Sequence, residues 1–141
     1  MFLGEYKHTI DDKGRLTIPA KYRGELAAGL VVTRGLDQNL VIYTLEGWKE
    51  LAGRITSQSL SNPKMRDLRR RLFSAAVDLR PDRQGRILIP QQLRAFAGID
   101  AAVVVAGMYD YAEIWGIDQW QQRREQIENP VDDTYWEDIG I

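Results

Sequence analysis

Apolar and polar positions alternate through Tyr6-Lys7-His8-Thr9-Ile10, and Leu16-Thr17-Ile18 is β-favouring in the same way. Such alternation predicts half-buried strands. Asp11 to Gly14 lie between the two and predict a hairpin, because aspartate opens turns and glycine takes positive φ without a Cβ penalty. Pro19 ends the second strand and suits the first position of a short helix over Ala20 to Leu26. Leu30 to Thr33 and Leu40 to Tyr43 predict two more strands, joined through Gly35 and Asp37-Gln38-Asn39. The period then becomes helical, with Trp48, Leu51 and Ile55 at i, i+3 and i+7. Thr56 to Asn62 predicts a loop. Asn62-Pro63 predicts an N-cap and a proline at N1, opening a helix to about Ser74. Met65, Leu68, Leu72 and Ala75 form its apolar stripe, while Arg66, Arg69, Arg70 and Arg71 crowd the remainder. Strands return at Ala75 to Leu79, Ile87 to Ile89, Ala101 to Val105 and Ala112 to Trp115. Gly98 stands where a helix C-terminus needs it. A last helix is predicted from about Asp118 to Ile127, stopped by Asn129-Pro130.

The same pattern has been read twice. Asp11-Asp12-Lys13-Gly14-Arg15-Leu16-Thr17-Ile18-Pro19 returns 71 positions later as Asp82-Arg83-Gln84-Gly85-Arg86-Ile87-Leu88-Ile89-Pro90, and Arg23 returns as Arg94. From Gly35-Leu36 to Trp48 the match continues in Gly107-Met108 to Trp120, now 72 positions on, so one residue has been gained in between. An internal repeat predicts one supersecondary unit per copy. At about 45 residues each, the copies are small for independent cores, so they should pack on each other or on another chain. The predicted organisation is repeat 1 at 5–48, a helical linker at 49–75, repeat 2 at 76–120, and a helix end with an acidic tail at 121–141. The fold class is α+β and β-dominated, with short helices after each repeat.

Composition narrows the function classes. The 141-residue chain is 44% hydrophobic and 28% charged, as expected of an ordinary soluble protein, and has no cysteine for a disulfide or thiolate metal site. No basic segment followed by a long apolar stretch opens the chain, and the apolar run at 101–106 is too short for a bilayer, so a cytoplasmic protein without membrane contact is expected. A net charge of −1 and a pI near 5.9 do not suggest a polyanion binder. Charge location matters more, within a Debye length of ~8 Å. Lys13, Arg15, Lys21 and Arg23 cluster, as do Arg80, Arg83 and Arg86, while Asp132, Asp133, Glu137 and Asp138 make the tail acidic.

No Gly-rich phosphate loop, nucleophile elbow, His/Cys metal spacing or carboxylate pair in an apolar context is visible, so neither an enzyme nor a cofactor is predicted. His8, the only histidine, stands in a strand with no partner motif and reads as structural. Arg69-Arg70-Arg71 reads as a solvated helix face. Trp48 and Trp120 occupy matching helix positions and read as core or interface packing. Tyr135 and Trp136 are available to anchor a neighbouring subunit. Gly14 and Gly85 read as turn glycines, and Asp11 and Asp82 as residues that fix the turn or pair with an arginine. For Arg15 and Arg86 the residues alone leave two readings open: a salt-bridged hairpin tip or an anion contact.

Asp-x-x-Gly-Arg-φ-x-Ile-Pro, with φ apolar, resembles the signature of AbrB-type swapped-hairpin DNA-binding proteins. Two copies in one chain that opens Met-Phe-Leu-Gly-Glu-Tyr-Lys-His resemble the MraZ family over nearly the whole length. The resemblance implies two swapped-hairpin repeats forming a pseudo-symmetric barrel. It also implies a nucleoid-associated regulator that binds short direct repeats in double-stranded DNA, upstream of the division and cell-wall gene cluster, as a closed homo-oligomeric ring. The expected DNA contacts are Lys13, Arg15, Arg83 and Arg86. In such a fold the glycine turn ends a β-ribbon narrow enough for a major groove, where arginine reaches guanine O6/N7 or clamps a phosphate. The copies differ at the tip: Lys13 corresponds to Gln84 and Asp12 to Arg83. Two rivals remain, an antitoxin-like autoregulator on the same fold and a ring scaffold that binds a protein partner.

Overall fold

The computed structural model describes residues 1–141. In chain order the strands are β1 (Glu5–Thr9), β2 (Arg15–Thr17), β3 (Leu30–Arg34), β4 (Leu40–Thr44), β5 (Val77–Leu79), β6 (Arg86–Leu88), β7 (Ala102–Gly107) and β8 (Ala112–Gly116). The helices are a 3₁₀ turn at Ala20–Tyr22 running into α1 (Arg23–Leu26), then α2 (Leu45–Thr56), α3 (Pro63–Leu72), α4 (Gln91–Phe96) and α5 (Ile117–Glu128). None is long and apolar enough to cross a membrane.

Six strands form one antiparallel sheet in the order β1-β7-β8-β4-β3-β5, and β2 pairs with β6 in a separate antiparallel ribbon. The pairing crosses between the repeats. β1 lies along β7, with Glu5 opposite Ala106 and Thr9 opposite Ala102, while β5 lies along β3, with Val77 opposite Val32. The middle of the sheet is the β4–β8 pair, Ile42 opposite Ala112. Each repeat therefore lends its first strand to the other, which meets the need of two 45-residue units to share a core.

Two expectations change here. Asp11 to Gly14 do form a tight turn, but β1 and β2 share only the single bridge Ile10–Leu16 before they part. The partner of β2 is β6, because both strands must bury their apolar side against the same core. The sheet is also open, with β1 and β5 at its edges, and does not close into a barrel. The chain leaves both edges at Asp11 and Asp82 to build the ribbon, and β5 has only three residues with which to pair.

The core lies between the sheet and that ribbon. Leu16, Ile18, Ile87 and Ile89 from the ribbon segments meet Leu30, Val32, Leu40, Ile42, Val103, Val105 and Ile114 from the sheet, all buried. Leu26 and Leu93 from the short helices close the sides. Each such side chain stabilises the fold by about 1.5–3 kcal/mol through burial. β3 and β7 are buried on both faces, which explains their unbroken apolar runs. Their second face is covered by helices. Trp48 of α2 packs on Tyr43 and Phe73 at centroid separations of 5.9 and 5.6 Å, and Trp120 of α5 packs on Trp115 at 5.8 Å.

The linker helix is capped as its sequence indicates. Asn62 accepts from the Lys64 amide at 3.0 Å, with Pro63 in the first turn. Its arginine run is not a solvated face. Arg71 donates to the Gly35 carbonyl at 2.9 Å, Arg69 donates to the Thr56 carbonyl at 3.3 Å, and only Arg70 forms an exposed pair, with Asp67. α3 crosses the β3–β4 turn, where Arg71 finds its carbonyl, while Arg69 reaches the C-terminal end of α2. Beyond Pro130 the acidic tail is exposed throughout.

Candidate nucleic-acid interface

Each repeat ends its first strand in the same turn. The Gly14 amide donates to the Asp11 carbonyl at 3.0 Å and the Asp11 amide donates to the Arg15 carbonyl at 3.0 Å. Gly14 has φ +83°, as a loop closed by a left-handed residue requires. The second copy repeats this geometry at Asp82, Gly85 and Arg86, with φ +74° at Gly85.

The aspartates organise both turns. Oδ1 of Asp11 accepts the amides of Lys13 and Arg15 at 3.0 and 2.8 Å, and its Oδ2 accepts Nε of Arg15 at 2.7 Å. Asp82 accepts the amides of Gln84 and Arg86, both at 2.9 Å, and Nε of Arg86 at 2.8 Å. The backbone amide of the arginine holds each carboxyl below the usual aspartate range; its side chain and the second amide add to this, and desolvation opposes it. Only Nε of each guanidinium is engaged. Its terminal Nη groups have no protein partner, and the side chains are 33% and 29% exposed. The tips are salt-bridged, yet the carboxylate holds each arginine by Nε alone and leaves its outer donors free.

The exchange of strands brings the two tips onto one ribbon. Arg15 stands opposite Leu88 and Thr17 opposite Arg86, with Leu16 opposite Ile87 between them. Directly opposed residues in an antiparallel pair share a face. Leu16 and Ile87 are buried, so Arg15, Thr17, Arg86 and Leu88 lie on the outward side. The Ile18 amide donates to the Gly85 carbonyl at 2.8 Å and the Ile89 amide to the Gly14 carbonyl at 2.9 Å, so each turn is clamped by the other repeat.

Two further arginines belong to this surface. Arg23 donates from Nε to the Ile18 carbonyl at 3.1 Å and lies over Gly85, where a Cβ would meet its Nε at 2.7 Å. Arg94 donates to the Ile89 carbonyl at 3.0 Å and lies over Gly14, where a Cβ would meet its Nη2 at 3.0 Å. The first tip thus carries Lys13, Arg15 and Arg94, and the second Arg83, Arg86 and Arg23. The shared 71-residue step of Arg23 and Arg94 marked them as part of the repeat, but not that each covers the opposite turn. Leu88 was not among the expected contacts, although alternation within Ile87-Leu88-Ile89 sets it on the face opposite the two buried isoleucines. His8 sits near this cluster, and burial, then the charge of Arg23, lower its pKa. No group of three or more His, Cys, Asp or Glu residues that could hold a metal ion is present.

The family profile described as "MraZ protein, putative antitoxin-like" matches the chain twice, at residues 1–71 and 72–138. The chain belongs to the MraZ family. Similar proteins include one from Herpetosiphon aurantiacus, 54% identical over 121 residues that span 86% of this chain and 85% of the relative. Another, from Roseiflexus castenholzii, is 51% identical over the same shares, and one from Alkaliphilus metalliredigens is 39% identical across all of both chains. All three carry the name transcriptional regulator MraZ. The family thus has two copies of its own pattern in this chain, and each copy contributes one glycine-tipped turn to the ribbon.

Proposed function

We propose that this chain is a transcriptional regulator that binds double-stranded DNA through the outward face of the β2–β6 ribbon. One observation carries the reading: two turns from different repeats present Arg15 and Arg86 on the same face, with their Nε atoms fixed and their outer donors free. A two-stranded ribbon fits a major groove, and an arginine fork there recognises guanine O6/N7. Lys13, Arg83, Arg23 and Arg94 flank that face and suit phosphate contacts, which position without reading sequence. The overall charge of −1 does not oppose this, because the acidic residues of the tail lie beyond α5, away from the ribbon in sequence. The names of the relatives support the regulatory role.

The finer reading combines this surface with the family resemblance. Residues 5–48 and 76–120 act as two swapped-hairpin repeats, each supplying one tip. Several chains assemble head-to-tail into a closed ring, since heterologous contacts generate rings. Identical tips then face the DNA with one polarity, spaced for direct repeats about one helical turn apart. The target is the DNA upstream of the division and cell-wall genes, and the protein works in the nucleoid.

Binding to the DNA upstream of its own gene, titrated with salt, tests the reading. Affinity should fall linearly on a log–log plot, by about 0.9 per phosphate contact. A flat response would favour the ring scaffold that binds a protein partner.

A further inference from the structure

The two ends of the ribbon are related by the repeat but are not chemically alike. A faithful copy of Thr17 at the matching outward position would be threonine; the chain has Leu88. Its neighbours Ile87 and Ile89 are 2% and 0% exposed, whereas Leu88 is 55% exposed and outside the core cluster. It stands opposite Arg15 across the ladder, within the set of side chains aimed outward. An apolar side chain held in water there gains only when something covers it. The adjoining turns differ too, Asp12-Lys13 on one side and Arg83-Gln84 on the other.

We propose that Leu88 is a specificity-determining residue that packs on the 5-methyl group of a thymine, so that the two tips read unlike base pairs and the bound site has a direction. This rests on the DNA reading above. The thymine methyl is the apolar feature that the major-groove edge of a base pair offers, and apolar side chains are its natural partners. Arg15, directly across the ladder, then takes a guanine close by on the same face. Thr17, opposite Arg86, brings a hydroxyl that either class of base accepts, so its tip is the more permissive. A ribbon with two like ends would favour a palindromic target; this one favours a polar target.

The test uses the full chain and a duplex recovered by it from a randomised library. Each thymine is replaced in turn by deoxyuridine, which lacks only the methyl group. Wild type should lose about fourfold in affinity at one thymine, the worth of one buried methyl-sized group. Leu88→Ser should bind the unsubstituted duplex more weakly by the same factor and be indifferent to uracil at that position. If wild type tolerates every uracil, or Leu88→Ser keeps the fourfold loss, the proposal is overturned. A Leu88→Ser chain with unchanged DNA affinity but altered oligomer size would also overturn it, making Leu88 a contact between copies. Recovery of no duplex would bring down the DNA reading itself, and this inference with it.

Discussion

Gly85→Ala tests whether the arginine from one repeat is built onto the turn of the other. At φ +74° an alanine is strained by roughly 1–2 kcal/mol. Its Cβ would also come within 2.7 Å of Arg23 Nε and 3.0 Å of Cδ, atoms in the middle of a side chain whose Nε is bound to the Ile18 carbonyl. Arg23 must give up that hydrogen bond, a further cost of about 1 kcal/mol. The total is about 2–3 kcal/mol. In an Arg23→Ala background only the backbone strain remains, so the same substitution should cost about 1–2 kcal/mol. Urea unfolding of the four chains at one fixed protein concentration measures both values. Equal costs in the two backgrounds would refute the packing, and a cost below about 0.5 kcal/mol in both would refute the strain as well.

The remaining predictions are shorter. Arg15→Ala and Arg86→Ala should each weaken binding to a specific duplex by about 1–3 kcal/mol at matched salt while the circular dichroism spectrum is unchanged; unaltered affinity would count against the interface. Leu16→Ala should destabilise by about 2–5 kcal/mol, because its site is closed on all sides, and Leu88→Ala by no more than about 0.5 kcal/mol. Similar melting losses for both would show that the ribbon is not oriented as described. Burial pushes the Glu113 carboxyl above its ordinary value, although Trp115 Nε1 donates to it at 3.0 Å. The folded state therefore holds a proton that the unfolded chain has already lost, and this contribution fades as pH rises from the usual glutamate value of 4.5 through the raised one. Glu113→Gln should flatten that decline in a pH series of urea midpoints; an unchanged slope would dismiss the assignment.

Much of this was legible along the chain, because strands, caps and turns are local. Alternation located β1 and β2, Asn62-Pro63 located the start of α3, and the Asp-x-x-Gly-Arg blocks located both turns. Pairing was not legible. Alternation tells which side of β1 is buried, yet not that β7 rather than β2 lies beside it. For the same reason the open edges at β1 and β5 could not be foreseen. Arg71 looked solvated because nothing in its helix announces the Gly35 carbonyl beneath it. Alternation sets Leu88 on the face opposite Ile87 and Ile89, but its place beside Arg15 comes from a register across 73 residues of chain.

Hydrogen exchange of the full chain with and without bound duplex tests the central claim most directly. Protection should appear in the two tip segments, 11–17 and 82–88, and at Arg23 and Arg94, while α3 and the acidic tail exchange as before. Protection confined to α3 or to residues 131–141, with the tips unaffected, would contradict the account.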